Sequence, residues 1–453
     1  MVERASVGAS PAVENAGAPA ASAVDSQTEE APSAAPALVA GATATGEATQ
    51  FGSLEGWSHL SHVFESIAAL SDGHADHDVR ILQYGDSHTA SDTETSVYRR
   101  ILQDRFGDGG RGFVAIGVPW KSYVQDGVRG GMSQEFEPQR MAHLQDGRLS
   151  GDGDYGLLGV AIGSDRLGAR AWTQISAPSS RVEIDYWQQP GGGSLDVLVD
   201  GAKMARIVTG ASQPASGFYM LALPDRPHQI EVRAASDGAV RVFGMALDRA
   251  RVGVVVDALG INGAQVYTPL HWNEVHFAEQ LQHRAPDLVV LAYGTNEALD
   301  PKLDVADYER AVVELLRRVA RAAPAASCLL LGPPDLARPT TLVPAPLADG
   351  AAKTPVAHGG WSSWPPLGDV IEVQRRVARA LGCAFYDQQQ AMGGPGTMID
   401  WASDPDPKGQ RDRVHFTQPG YASLATSFAT DFLHAYDDWR RSRTAPETNI
   451  AAR

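Results

Sequence analysis

The chain is predicted to fold as a doubly wound, flavodoxin-like α/β domain whose five-stranded parallel sheet is interrupted by an antiparallel β-sandwich. From Trp57 onward, short apolar runs alternate with amphipathic helical segments, which is typical of buried parallel strands separated by helices. The first two runs lie about 170 residues apart, and the interval shows the apolar–polar alternation of antiparallel strands instead.

The five parallel strands are predicted from continuous apolar runs. They are Val79 to Tyr84, Val252 to Val256, Leu288 to Tyr293, Cys328 to Leu331 and Cys383 to Tyr386. Between them, two sets of apolar residues recur at helical spacing: Tyr308, Val312, Leu315 and Val319, then Val370, Val373, Val377 and Leu381. In such a sheet, ligands are expected at the carboxyl ends of the strands.

The inserted sandwich is predicted from alternation at Val182, Ile184 and Tyr186 and from the Asp200-Gly201 turn. The expected domain organisation is a leader or tether at 1–50, a first segment of the α/β domain at 51–144, the sandwich at 145–250, a second segment of the α/β domain at 251–437 and a tail at 438–453.

Residues 1–50 contain 16 Ala, 5 Ser, 4 Pro and no aromatic residue. This composition buries too little apolar surface to offset the entropy of ordering, so we expect a disordered segment. No signal peptide is visible in it. An Ala/Pro/Ser-rich tether nevertheless favours the cell envelope.

Charge and hydropathy exclude two classes of partner. The 38 basic and 54 acidic residues give a net charge of −16, which repels phosphate backbones, so nucleic acid is not expected to bind. No apolar run reaches the ~18 residues of a membrane span, so no integral membrane segment is expected. The two cysteines, Cys328 and Cys383, are interpreted as buried thiols.

The sharpest local motif is Tyr84-Gly85-Asp86-Ser87-His88-Thr89, which follows the first strand. The next residues, Ser91-Asp92-Thr93-Glu94, match a capping box and predict a helix from Ser91 to the break at Gly107. Ser87 is then expected near the positive end of a helix, where backbone N–H groups favour a transient oxyanion.

Two later motifs strengthen this interpretation. Asn296 follows the third strand, where its amide is expected to donate into the same crevice. Asp412 stands three residues before His415, a spacing that lets the carboxylate hold Nδ1–H of the imidazole and leaves Nε2 to accept a serine proton.

On these residues the chain resembles the SGNH/GDSL hydrolase superfamily. The glycine motif of that superfamily is assigned to Gly263 rather than Gly260. His88 replaces the usual leucine, and the run from Gly85 to Thr89, with Phe106 to Phe113, looks like the peptidoglycan O-acetylesterase branch. The resemblance implies an inserted carbohydrate-binding-module-like β-sandwich and favours the periplasm or cell envelope.

The resemblance further implies that Ser87 is the nucleophile, that His415 is the general base and that Asp412 orients it. The oxyanion hole is expected from Ser87, Gly263 and Asn296. The implied activity is removal of O-acetyl groups from carbohydrate, with O-acetylated polysaccharide, above all peptidoglycan, as the partner and no cofactor or metal.

His88 is interpreted as a loop residue that packs or hydrogen-bonds beside Ser87, with substrate binding as the alternative. Trp361 and Trp364 are proposed either to bind substrate at the rim of the active site or to pin their loop by burying both indoles. In the insertion, five aromatic residues form either a sugar-stacking platform or part of the core: Trp172, Tyr186, Trp187, Phe218 and Tyr219.

Three alternatives stay open. The same site in an O-acetyltransferase passes the acetyl group to a sugar instead of water. A non-catalytic envelope protein uses the fold only to bind carbohydrate. A metallophosphoesterase would use Asp86, His88 and Asp108, but the required G-N-H-[DE] motif is replaced by Gly294-Thr295-Asn296-Glu297.

Overall fold

Residues 50–143, 149–235, 237–343 and 355–444 are described by a computed structural model of the chain. The expected leader, except Gln50, and residues 445–453 of the expected tail lie outside the described residues.

The structure contains twenty-one described strands and eleven described α-helices. The strands are β1 (Gln50–Phe51), β2 (Leu54–Glu55), β3 (Val79–Gly85), β4 (Gly110–Val114), β5 (Val128–Met132), β6 (Glu137–Gln139), β7 (Ala142–His143), β8 (Leu149–Ser150), β9 (Ala161–Ser164), β10 (Arg170–Gln188), β11 (Ser194–Val199), β12 (Ala202–Val208), β13 (Ala215–Ala234), β14 (Val240–Asp248), β15 (Val254–Gly260), β16 (Leu288–Ala292), β17 (Ser327–Gly332), β18 (Ala337–Pro339), β19 (Ala357–His358), β20 (Trp361–Ser363) and β21 (Ala384–Asp387). The helices are α1 (Ser61–Ser71), α2 (Ser87–Ala90), α3 (Thr93–Phe106), α4 (Tyr267–Leu270), α5 (Glu274–Arg284), α6 (Thr295–Leu299), α7 (Val305–Ala322), α8 (Pro365–Leu381), α9 (Gln388–Met392), α10 (Thr397–Ser403) and α11 (Gln418–Thr444).

The central sheet has the order β1-β2-β21-β17-β16-β3-β15. The strands from β21 to β15 are all parallel, and along the chain they are the fifth, fourth, third, first and second. This is the flavodoxin-like order. The sheet is larger than the five strands predicted, because the hairpin of β1 and β2 adds to its edge through antiparallel pairing of β2 with β21.

Helices cover both faces of this sheet. Consecutive residues of one strand, such as Ile81 and Leu82 of β3, belong to two different hydrophobic cores. The core that contains Leu82 includes the buried stripes of α7 and α8, as their periodicity predicted. The core that contains Ile81 is closed by α1, α3 and α11. Within the described ranges, no helix combines the length and hydrophobicity needed to cross a bilayer.

The antiparallel part is one continuous sheet with the order β12-β11-β13-β10-β14-β9-β6, to which β4 and β5 also pair. Its longest strands, β10 and β13, pair along most of their lengths, with register shifts between Ile175 and Arg181. A single core contains residues from both halves of β10, including Ile175 and Val182, so the sheet bends over its own apolar face. The boundary at 145 remains a prediction about domains, but the sheet itself takes strands from residue 110 onward.

A buried ion-pair network joins the two sheets. The guanidinium of Arg284, at the end of α5, donates to Asp257 of β15 at 2.7 Å and to Asp248 of β14 at 2.8 Å. All three side chains are buried. Asp257 also accepts from the backbone N–H of Phe113 on β4 at 2.7 Å. The parallel sheet and the antiparallel sheet therefore share one set of charges.

The interpretation of the cysteines as buried thiols is wrong, since the structure places a disulfide between Cys328 and Cys383. Cys328 lies in β17, and Cys383 directly precedes β21, its parallel neighbour. Their Cα atoms are 4.9 Å apart, within the range that a disulfide spans.

We expect Arg284→Leu to lower the free energy of unfolding by about 3–5 kcal/mol, because it leaves buried Asp257 without its counter-charge and buried Asp248 with only a longer ion pair to Arg80, at 3.7 Å. Urea denaturation followed by circular dichroism measures this loss. The matched control is Arg321→Leu on α7, since Arg321 is half exposed beside Glu274 and Glu314. Arg321→Leu should lower the free energy of unfolding by about 1 kcal/mol or less. Equal losses in the two variants would contradict a role for the network in joining the sheets.

Candidate active site

The polar motifs meet at the carboxyl edge of the parallel sheet. The motifs that contain Ser87, Asn262 and Asn296 follow β3, β15 and β16, and these three strands are neighbours in the sheet. The segment before α11 supplies His415 to the same place. Ser87, Asn262 and His415 line a cavity of about 290 Å³, whereas Gly263, Asn296 and Asp412 are not among its lining residues. The other residues that line it are Ser91, Thr93, Gln410, Phe416, Thr417, Gln418 and Tyr421.

Ser87 begins α2, a single helical turn. Asp86 caps this turn, because its carboxylate accepts the backbone N–H of His88 at 2.9 Å. The predicted capping box at Ser91 is wrong, since the longer helix α3 begins only at Thr93. Asp92 breaks the helical path with a φ of 52°, and its buried carboxylate accepts from Arg99 and Arg111. Ser87 therefore lies at the amino end of its own turn rather than at that of α3.

Asp412, His415 and Ser87 form a continuous hydrogen-bonded chain. One Asp412 oxygen lies 2.7 Å from Nδ1 of His415, and the other accepts the backbone N–H groups of Val414 and His415 at 3.0 Å each. Nε2 of His415 lies 2.9 Å from Oγ of Ser87. With Nδ1–H donating to the carboxylate, Nε2 is left as an acceptor for the serine hydroxyl.

The charges around the hydrogen-bonded chain of Asp412, His415 and Ser87 suit a proton transfer from Ser87. Burial raises the pKa of Asp412, but hydrogen bonds from the His415 ring and the backbone outweigh it and hold that pKa below its usual value. Behind Ser87, burial raises the pKa of Asp86 to about 6. Burial, and then the neighbouring His415, lower the pKa of His88 to about 3, so His88 stays neutral.

Two of the three predicted oxyanion residues, Gly263 and Asn296, lie on segments that a buried carboxylate connects. One amide N–H of Asn296 donates to the carbonyl of Ala264 at 2.9 Å, next to Gly263. Gly263 is exposed and has a φ of 77°. Glu297 accepts the backbone N–H of Val266 at 2.6 Å and that of Gly294 at 3.0 Å. Glu297 thus clamps the loop after β15 to the loop after β16.

Glu297 was missed as a functional residue by sequence reasoning. Its side chain is 1% exposed, and burial raises its pKa to about 7. Only its place directly after Asn296 in the 294–297 motif could have singled it out. The partners of its carboxylate are backbone groups, which leave no sequence signature.

None of the three proposed substrate-binding side chains is among the described residues that line the cavity. His88 is buried behind it, where Nδ1 lies 3.0 Å from the Tyr421 hydroxyl. The indole N–H of Trp364 donates to the carbonyl of Ala298, and its ring packs against the core. The Trp361 ring lies under the guanidinium of Arg413, 3.8 Å from the ring centroid, so it supports the turn between Asp412 and His415.

The aromatic residues of the insertion do not form one platform. Tyr186 and Trp187 are buried in two different cores. Phe218 stacks on the ring of His283, with centroids 3.5 Å apart. Trp172 and Tyr219 are half-buried.

The metallophosphoesterase alternative needs Asp86, His88 and Asp108 to converge. Asp86 instead caps α2, and His88 contacts Tyr421. The carboxylate of Asp108 accepts from Arg249 at 2.5 Å, on the side of the antiparallel sheet. The three side chains therefore serve different local structures.

Comparison with known proteins agrees with this architecture. Residues 222–423 match the GDSL-like lipase/acylhydrolase family, a range that includes Gly263, Asn296, Asp412 and His415 but not Ser87. A search of curated proteins finds no match.

One solved structure, of a peptidoglycan O-acetylesterase in action, is similar along 85% of this chain and 100% of its own, with 26% identity and a TM-score of 0.68. Two others share 13% identity at TM-scores too low to support a conclusion. The first is a family two carbohydrate esterase from Cellvibrio japonicus, with a TM-score of 0.26, and the match covers 68% of this chain and 98% of that one. The second is a carbohydrate esterase family 2 enzyme with a carbohydrate binding domain from Corynascus thermopiles (Myceliophthora fergusii), with a TM-score of 0.28, and the match covers 61% of this chain and 96% of that one.

The burial of Asp86 predicts a dependence of stability on pH. Its pKa of about 6 in the folded protein lies above the ordinary value of 3.8, so proton uptake stabilises the folded state below about pH 4. That contribution is lost as the pH rises through about 6. Asp86→Asn cannot titrate but keeps an oxygen to accept the His88 N–H. From pH 4 to pH 6, the wild type should therefore lose about 2 kcal/mol of unfolding free energy relative to Asp86→Asn.

Urea unfolding of both proteins at half-unit pH steps measures this difference. Asp404→Asn, which makes the same substitution at an exposed carboxylate, is the control for the loss of one negative charge. A constant difference between wild type and Asp86→Asn across the range would rule out the raised pKa.

Proposed function

Because the chain carries a hydrolase domain of the SGNH superfamily and is a carboxylic ester hydrolase, we propose that it is a serine esterase that removes O-acetyl groups from peptidoglycan. The observation that carries this proposal is the hydrogen-bonded chain from Asp412 through His415 to Ser87. A hydroxyl, an imidazole and a carboxylate in this order form the acyl-transfer triad.

In the proposed reaction, Nε2 of His415 takes the proton of Ser87 as Oγ attacks the acetyl carbonyl. Asp412 holds Nδ1–H and stabilises the imidazolium that forms. The C–O bond to the sugar then breaks, and His415 returns its proton to the departing sugar hydroxyl. Water attacks the acetyl-serine by the same route, so acetate leaves and Ser87 regains its proton.

The oxyanion of each tetrahedral intermediate is proposed to be held by the backbone N–H groups of Ser87 and Gly263 and by the side chain of Asn296. An asparagine amide has two N–H groups. In Asn296 one of them is engaged by the carbonyl of Ala264, which fixes the orientation of the amide and leaves the other for the oxyanion. Since Glu297 connects the two loops, it is a positioning residue for this arrangement.

The choice of peptidoglycan is supported by the similarity to the peptidoglycan O-acetylesterase, which covers 85% of this chain and so extends beyond the residues 222–423 that match the family. The sequence motif from Gly85 to Thr89 supports the same branch.

We expect Ser87→Ala and His415→Ala to abolish ester turnover without unfolding the protein, because each removes a group that moves or bonds in the reaction. Asn296→Ala should lower kcat by roughly 10²-fold or more, since it deletes one oxyanion donor. Initial rates on an aryl acetate test all three variants. The control is Ser423→Ala, which removes an exposed hydroxyl on α11 and should leave the rate unchanged. A near-normal rate for Ser87→Ala or His415→Ala would refute the proposed site.

Acetate release from O-acetylated peptidoglycan and from O-acetylated xylan tests the substrate. We expect Ser87-dependent release from peptidoglycan that a chelator does not affect. A preference for xylan would keep the mechanism and change the substrate. If aryl acetate is cleaved but acetate passes from peptidoglycan to an added sugar instead of to water, the protein is an O-acetyltransferase.

A further inference from the structure

Asn262 lies in the cavity with Ser87 and His415, yet the reaction as described gives it no role. It stands on the turn after β15, directly before Gly263, and its side chain is exposed. Two residues from the segment between β4 and β5 contact it. Its Oδ1 lies 2.9 Å from the indole N–H of Trp120 and 3.3 Å from the hydroxyl of Ser122.

These contacts determine which way the amide faces. An indole N–H can only donate, so the Asn262 atom that faces Trp120 is its oxygen. Trp120 itself is held firmly, because it is 9% exposed and packs edge-on against Tyr123, whose hydroxyl accepts the backbone N–H of Ala115 at 2.9 Å. The amide nitrogen of Asn262 therefore faces away from this support, and no described residue accepts its two N–H groups.

In the free protein water can accept from these exposed N–H groups, but a substrate that displaces this water has to offer an acceptor in its place. An acetyl group carries only its carbonyl oxygen, which the proposed oxyanion donors already take, and its methyl group accepts nothing. Any further acceptor must then belong to the alcohol half of the ester. Saccharides offer such acceptors in their hydroxyl, ring and N-acyl oxygens, whereas a simple aryl alcohol offers none beyond the ester oxygen.

We propose that the side-chain amide of Asn262 binds an oxygen of the saccharide that carries the acetyl group, and that Asn262 is thereby a specificity-determining residue held in place by Trp120 and Ser122. This inference rests on the proposed esterase function. It also gives the antiparallel sheet a part in substrate choice, since Trp120 and Ser122 lie between two of its strands.

Asn262→Asp tests the proposal, because the new carboxylate can still accept from Trp120 and Ser122 but presents an oxygen where the N–H groups were. Asn262→Ala removes the donor without adding a charge. In both variants, kcat/KM for O-acetylated peptidoglycan fragments should fall at least 10-fold, mainly through KM. For phenyl acetate it should change less than threefold. Trp120→Phe removes the N–H that fixes the orientation of the Asn262 amide. It should lower kcat/KM for the peptidoglycan fragments by a smaller factor, again with little change for phenyl acetate.

An equal fall on both substrates with KM unchanged would overturn the proposal, because Asn262 would then act on the reacting carbonyl or hold the loop. So would unchanged kinetics on both substrates. In those two cases the wild type still releases acetate from the saccharide and the proposed function stands. If the wild type cleaves phenyl acetate in a Ser87-dependent manner but no O-acetylated saccharide, the proposed function fails and the role of Asn262 fails with it.

Discussion

The site depends on three parallel strands that end level with one another. In the central sheet, Gly85 pairs with Gly260 on one side and with Ala292 on the other, so β3, β15 and β16 deliver their following loops to one edge. Two of these ends must be glycine. A Cβ on Gly85 would lie 2.8 Å from the carbonyl oxygen of Ala292, and one on Gly260 would lie 2.2 Å from the backbone nitrogen of Ala90. The close approach of the loops is what brings the motifs into contact.

Buried carboxylates hold those loops in position. Asp86 caps the turn that begins with Ser87, Glu297 joins the two loops proposed to carry the oxyanion donors, and Asp92 sets the start of α3 by binding Arg99 and Arg111. Each is at most 2% exposed. A buried charge is costly unless its hydrogen bonds are satisfied, so these groups keep a single loop geometry among the many that exposed loops adopt.

The antiparallel sheet is joined to the hydrolase domain at two kinds of contact. Arg284 connects β14 to β15 through buried ion pairs, which we expect to stabilise the fold. Trp120 and Ser122 contact Asn262 in the cavity, which we propose to position its amide for substrate binding. An insertion that contributes to both is part of the working enzyme as we propose it, rather than a separate appendage.

The sequence alone determined the five parallel strands, the amphipathic stripes of α7 and α8 and the antiparallel character of the insertion, because these follow from local hydrophobic periodicity. It also placed Ser87, Asn296, Asp412 and His415 in recognisable motifs. It did not reveal the Cys328–Cys383 disulfide, the break at Asp92, the hydrogen-bond partners of His88 and Trp364 or the contacts of Glu297 and Asn262. Each of these depends on which distant segments pack together, since pairs such as Asn262 and Trp120 are 142 residues apart along the chain and meet only when the two sheets are assembled.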